Sequence, residues 1–198
     1  MPATNNNALN VTTGKPKTTG AVFRAPLGTT LPTDPTTALA SGFVCTGYIS
    51  DDGVVNSNSP ESESVKAWGG DEVLHTQTGK KDTFKFTLLE AQNENALKNV
   101  YGDSNVSATA ATTSSPKLIT VIANSKDLPE CSYVIETIMK NNGIKRIVIP
   151  RGKVTNVGDV TYKDGSAIGY ELTISAIPDD SGNTHYEYLS VGSALPNQ

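Results

Sequence analysis

Apolar and polar positions alternate most cleanly between Ile168 and Ser175. Ile168, Tyr170, Leu172 and Ile174 fall on one side, and Gly169, Glu171, Thr173 and Ser175 on the other. A period of two, apolar in and polar out, predicts a strand in a sheet with one wet face. Shorter apolar runs at 43–49, 118–123, 131–140, 144–150 and 185–190 predict further strands. Turn signals punctuate them: Asp51-Asp52-Gly53, Asn141-Asn142-Gly143, Lys163-Asp164-Gly165 and Asp179-Asp180-Ser181-Gly182. Residues 72–77 and 82–88 flank Thr78-Gly79-Lys80, which reads as a hairpin turn. Residues 54–64 are mostly Ser, Asn and Glu around Pro60, and suit a loop or an edge strand, because proline cannot donate to a central ladder.

One stretch changes period. Leu89, Ala96, Leu97 and Val100 recur at roughly helical spacing, predicting a helix near 88–101 with one face on the sheet. Thr87-Leu88-Leu89-Glu90 fits a capping box at its start, and Gly102 is placed for a C-cap. Residues 103–117 read as a polar loop. Residues 1–40, rich in Thr, Asn, Pro and Gly, read as an extended arm with no stretch that alternates long enough for a strand. Within it Val22, Phe23 and Leu27 form an apolar knot suited to contact with another subunit. Deleting residues 1–38 is therefore expected to leave the body folded. Residues 41–190 form the expected domain and 191–198 a C-terminal stub. The fold expected is mainly β, a β-sandwich or partly closed barrel of about eight or nine strands with one flanking helix.

Composition supports an incomplete core. With glycine counted and tyrosine left out, the apolar fraction is roughly 41%, below the usual 45–50% or so. The net charge is −4, and the basic residues are scattered. A nucleic-acid grip needs them clustered. Cys45 and Cys131 lie far apart, without metal spacing, each in an apolar run where a thiol acts as a small hydrophobe. There is no secretory pattern, and no apolar run approaches the ~18–20 residues that cross a bilayer.

Little in the chain speaks for catalysis. Phosphate loops, dinucleotide fingerprints, zincin helices and nucleophile elbows are missing from the sequence. His75 and His185 sit in strands without a neighbouring acid and nucleophile. Asp51-Asp52-Gly53 with Asn56 and Asn58 offers hard oxygen ligands but lacks calcium-loop spacing. Trp68, beside two glycines, suits core or subunit packing better than a ligand platform. No catalytic, cofactor or metal residues are assigned.

Several segments, in order along the chain, resemble one family. GAVFRAPLGTTLPTD, GYISDDGVVNSNSPESESVKAWGGD, DTFKFTLLEA, LKNVYGD and IPRGKVTNVGDVTYKDGSAIGYELTISAIPD are similar to the major tail protein of long-tailed, non-contractile bacteriophages. The similarity runs from about Thr19 to about Ser190. It implies a β-sandwich with a flanking helix, assembled into hexameric rings that stack into a tube for DNA ejection. It implies a virion protein, made in the host bacterial cytoplasm, with no membrane. Further copies of itself and the tape measure, tail terminator and baseplate or tip proteins would be its neighbours. Glu171, Glu61 and Glu63 are candidates to face the lumen, where acids would let DNA slide. The alternative from another class is a carbohydrate- or receptor-binding β-sandwich module, which leaves the N-terminal arm without a role.

Overall fold

The computed structural model describes residues 6–191, and strands dominate them. Early in the chain come β1 (Lys15–Pro16), β2 (Val22–Pro26) and β3 (Val44–Cys45). Two long strands follow, β4 (Val55–Lys66) and β5 (Glu72–Leu88), and then the helix α1 (Glu94–Tyr101). The second half holds β6 (Val106–Thr109), β7 (Leu118–Val121), β8 (Cys131–Ile138), β9 (Ile144–Val157), β10 (Tyr170–Ile177) and β11 (Tyr186–Ser190). Nine strands make one antiparallel sheet in the order β3-β2-β8-β9-β10-β5-β4, with β1 beside β8 and β11 beside β9. β6 and β7 pair separately, so part of the stretch expected to be loop is strand.

The sheet bends around β9. Its first half, 144–148, pairs with β11, and its second, 151–157, with β10, while β8 runs along the other edge. Register shifts at Cys131/Tyr133 and Thr173/Ile174 add the twist that such irregularities bring. The apolar face therefore wraps around Phe84, Phe86, Leu88, Tyr133, Ile149, Leu172 and Ile174, and α1 closes the space with Ala96, Leu97 and Val100. Val134 and Val148 point the other way, into a smaller cluster with Ala25 and Phe43. β8 is buried on both faces for most of its length, which is why its sequence reads as a continuous apolar run. The sheet does not close into a barrel. A single bridge, Ile49 to Leu88, and backbone bonds from Ser50 N to Thr87 O and Leu89 N to Tyr48 O tie the chain after β3 to the end of β5.

The mainly-β expectation with one helix holds; besides the 103–117 loop, three local expectations do not. Thr78-Gly79-Lys80 is no turn. β5 runs straight through it, Gly79 faces Glu61, and the irregularity is absorbed as a register shift between Glu61 and Ser62. The real turn is the Trp-Gly-Gly corner, where Ala67 N–H donates to Asp71 O at 2.8 Å and Gly69 and Gly70 take φ of 117° and 100°. Those angles favour glycine.

The capping box fails as well. Thr87 and Leu88 stay in β5, paired to Glu171 and Tyr170 of β10, and ladder pairing on a buried strand outweighs an early helix start. α1 begins at Glu94 with Asn93 as its cap, the Asn93 side chain accepting from Asn95 N at 2.9 Å. The expected stop is present: Gly102 N–H donates to Lys98 O at 2.9 Å, at φ 89° and ψ 150°, a region that is essentially glycine's alone.

Lastly, residues 22–26 are strand. β2 pairs with β8 from Val22↔Ile135 to Pro26↔Cys131. Val22 is completely buried in its own chain, Phe23 packs half-buried beside the smaller cluster, and Leu27 keeps 45% of its surface. A five-residue strand ending in proline is too short to announce itself by periodicity. Residues 1–5 of the expected arm, and all of the stub but Val191, lie outside the described residues.

Candidate functional site

The largest exposed element is the β4–β5 hairpin. Every residue of β4 is exposed, and so is almost all of β5 from Glu72 to Lys81, on both faces of the ribbon. From Asn58 to Trp68, at about 3.3 Å per residue, it reaches roughly 33 Å beyond the body. Its shaft is Ser, Asn, Thr, Glu and Lys. Its head is apolar: Val65, Val73 and Leu74 are each more than half exposed and Trp68 is fully so. A two-stranded ribbon in water is marginally stable at best. A protein that builds one this long provides it for another surface.

The root is fixed by one buried carboxylate. Asp82 accepts from Asn56 Nδ2 at 2.8 Å and Thr184 Oγ1 at 2.6 Å, and pairs with His185 Nδ1 at 2.6 Å. Burial opposes its charge, but these hydrogen bonds from Thr184, His185 and Asn56 outweigh it and hold its pKa below the ordinary value. The His185 ring stands edge-on to Phe84 at 5.3 Å. One acid thus joins β4, β5 and the lead into β11.

The three acids singled out in the sequence share one face. In β10, Glu171 pairs with Thr87 and Thr173 with Lys85; in β4, Val55 pairs with Lys85 and Glu61 with Gly79. Partners in an antiparallel ladder point the same way, so Glu171, Glu61 and Glu63 lie on the wet side of β10-β5-β4, opposite Phe84 and Leu172. Three cations on this side of the sheet are held by carboxylates, Lys85 by Glu171 at 2.9 Å, Lys153 by Asp127 at 2.5 Å and Arg151 by Glu130 at 2.9 Å, while Lys81, opposite Ser59 on the same side of the ribbon, is in no ion pair among the described residues. A surface with three of its cations paired and three acids beside them gives phosphate little to grip.

A hairpin projected for pairing, a wet sheet face with most of its cations paired, and a short helix at the core's edge are the parts of a building block. A family model described as phage tail tube protein matches residues 2–195. The chain belongs to the phage tail tube proteins. No curated protein gave a significant match to the sequence. As a tail tube protein it is a structural component of the virion tail, in a family whose members assemble into a tube with other tail proteins.

Within this tail tube protein the other residues of interest fall apart rather than together. His75 lies exposed on the hairpin beside Glu72, far along the ribbon from His185. Asp51-Asp52-Gly53 forms the expected turn, closed by Gly53 N–H to Ser50 O at 3.0 Å. Among the described residues no group of three or more His, Cys, Asp or Glu could hold a metal ion, and no helix is long and apolar enough to cross a membrane. Cys131 is buried, its thiol pKa pushed up by burial, with Arg24 Nε 3.1 Å from Sγ. Cys45 is half-exposed at the rim of a groove of about 1050 Å³ that opens at the hairpin root.

Sequence reasoning missed Asp82 and the groove. Asp82 follows two lysines in a polar stretch, and only the register that brings Asn56 and His185 to it reveals its burial.

Proposed function

We propose that this tail tube protein self-assembles into hexameric rings that stack into the hollow conduit through which phage DNA is ejected. The observation that carries this reading is the ribbon exposed on both faces. It offers unpaired backbone along β4 and an apolar head, both of which gain by pairing with a neighbouring copy. The wet face bearing Glu171, Glu61 and Glu63 is the surface we assign to the lumen. The pairing of Lys85, Lys153 and Arg151 there, beside these acids, leaves DNA free to slide, with repulsion screened beyond a Debye length of ~8 Å. The remaining surfaces serve the tape measure, terminator and baseplate or tip proteins. Synthesis takes place in the host cytoplasm, and no catalytic step is involved.

The test is negative-stain electron microscopy of the purified protein beside a variant with residues 60–80 replaced by an Asn-Gly turn, which joins the paired Ser59 and Lys81. Wild type is expected to give hollow tubes or six-fold rings. The trimmed variant is expected to keep its thermal unfolding within about 0.5 kcal/mol, since it loses only exposed residues, and to remain monomeric. Tubes from the trimmed variant would remove the hairpin from the interface. Wild-type protein that binds glycans as a stable monomer and forms no rings would return the assignment to a binding module.

A further inference from the structure

The hairpin head and the groove at the hairpin root are complementary, and no single chain can bring them together. Asn56 and Phe84, at the root, line the groove. Trp68 stands about 40 Å away from Asn56 along the ribbon at ~3.3 Å per residue. We infer that the head of one copy seats in the groove of a second, with Trp68 as the anchor. This rests on the tube reading and names the surface that receives the hairpin.

Three observations carry it. The first is shape and polarity. The head gathers Trp68, Val65, Val73 and Leu74 at the end of a polar shaft, and an exposed apolar group of that kind at a tip marks a docking point. The groove is lined by Cys45, Tyr48, Ile49, Val54, Ile135 and Ile147, with Tyr48 largely exposed at its mouth. Its volume accommodates an indole and the valines beside it.

The second is charge. Lys66 lies two residues before Trp68, and Asp51 and Asp52 stand on the groove rim. Among the described residues none of the three is held in an ion pair, whereas on the rim Lys17, Lys145 and Glu187 each have an ionic partner and Glu90 accepts hydrogen bonds from Tyr48 N and Asn93 Nδ2. Seating the head with Lys66, rather than the equally unpaired Asp71 of the same corner, toward the rim places a free cation by the free acids.

The third is a single hydrogen bond. Ser50 Oγ, a groove residue, is buried without a hydrogen-bond partner among the described residues. A buried hydroxyl in that state is unusual. The indole N–H is a donor only, and a rotation of Ser50 about χ1 offers it the acceptor. A knob on one part of a molecule that fits a hollow on another makes a heterologous contact, the kind that builds rings or open filaments rather than closed pairs.

Trp68 is the only tryptophan, so the protein reports on itself. On assembly its emission is expected to move to the blue and lose access to iodide. For location, Ala67→Cys keeps Trp68 in place, and a short bis-maleimide added to assembled protein is expected to join position 67 to Cys45 of the next copy. The product is a ladder of multimers on a denaturing gel. Adding Cys45→Ser is expected to cut the ladder to dimers at most. Trp68→Ala is expected to raise the concentration needed for assembly at least tenfold without altering the circular dichroism of the free chain. Tubes that form with unshifted emission, or a ladder indifferent to Cys45→Ser, overturn this inference and leave the tube reading standing. So does protection of Cys45 on assembly without linkage to position 67, which would mean that another segment fills the groove. Protein that forms no rings or tubes at all overturns both.

Discussion

At the scale of single residues, the strongest electrostatic commitment lies away from the hairpin. Arg146 and Glu136 are both fully buried and paired, Arg146 Nε donating to Glu136 Oε1 at 2.8 Å. Arg146 also donates to Asp34 O at 2.6 Å, and Lys17 Nζ reaches Glu136 Oε2 at 3.1 Å. Breaking a buried pair on one side strands the other charge, at about 3–5 kcal/mol. Glu136→Ala is therefore expected to lower the melting temperature by roughly 2–4 °C per kcal/mol for a chain of this size. Glu136→Ala with Arg146→Met should recover much of the loss, and circular dichroism melts of both variants check it. None of this was legible in the sequence. A Glu and an Arg in neighbouring strands read as solvent-facing, and only the pairing Glu136↔Arg146 across β8 and β9 places them together.

At the scale of elements, the hairpin and the helix were visible as patterns, while their ends were not. Strand alternation from 168 to 175 and the apolar helix face survive because burial selects them directly. Ends depend on competition between local signals and distant partners, and at Thr87 the β10 ladder won. The same holds for Gly79, a turn residue in sequence that became a position of irregular pairing. The hairpin root gives a pH prediction. Asp82 has its folded pKa depressed by Thr184, His185 and Asn56, so its contribution is fully present above the unfolded value near 4 and is lost as pH falls through the lower folded value. Urea unfolding should show Asp82→Asn weaker than wild type by about 1–3 kcal/mol. That gap should stay constant from pH 7 to 5 and close below about pH 4. A gap that closed between pH 7 and 5 would move the control from Asp82 to another group.

At the scale of the molecule, the N-terminal segment is part of the body. Val22 sits in the core, Arg24 forms a two-pronged pair with Asp103 at 2.8 and 2.5 Å, and Lys17 and the backbone carbonyl of Asp34 complete the partners of the buried Glu136–Arg146 pair. The sequence hid this because β2 pairs with a strand more than a hundred residues further along the chain. Deletion of residues 1–38 is thus expected to abolish a cooperative thermal transition, contrary to what composition suggests. A sharp melt in that truncation would show that β8 can stand without β2.

The ribbon also has a consequence in time. A free copy holds the outer part of two long strands in water with no third strand beside them, so each encounter must fix that marginal ribbon, and two such ribbons meeting pay the entropy twice. A copy arriving at a finished end pays it once, against a partner already in place. Growth should then show a lag that sonicated tube fragments abolish, followed by lengthening from the ends. Turbidity traces with and without such seeds would reveal it. On the proposed assembly, such a subunit can accumulate to high concentration and stay dispersed until something presents it with a finished end.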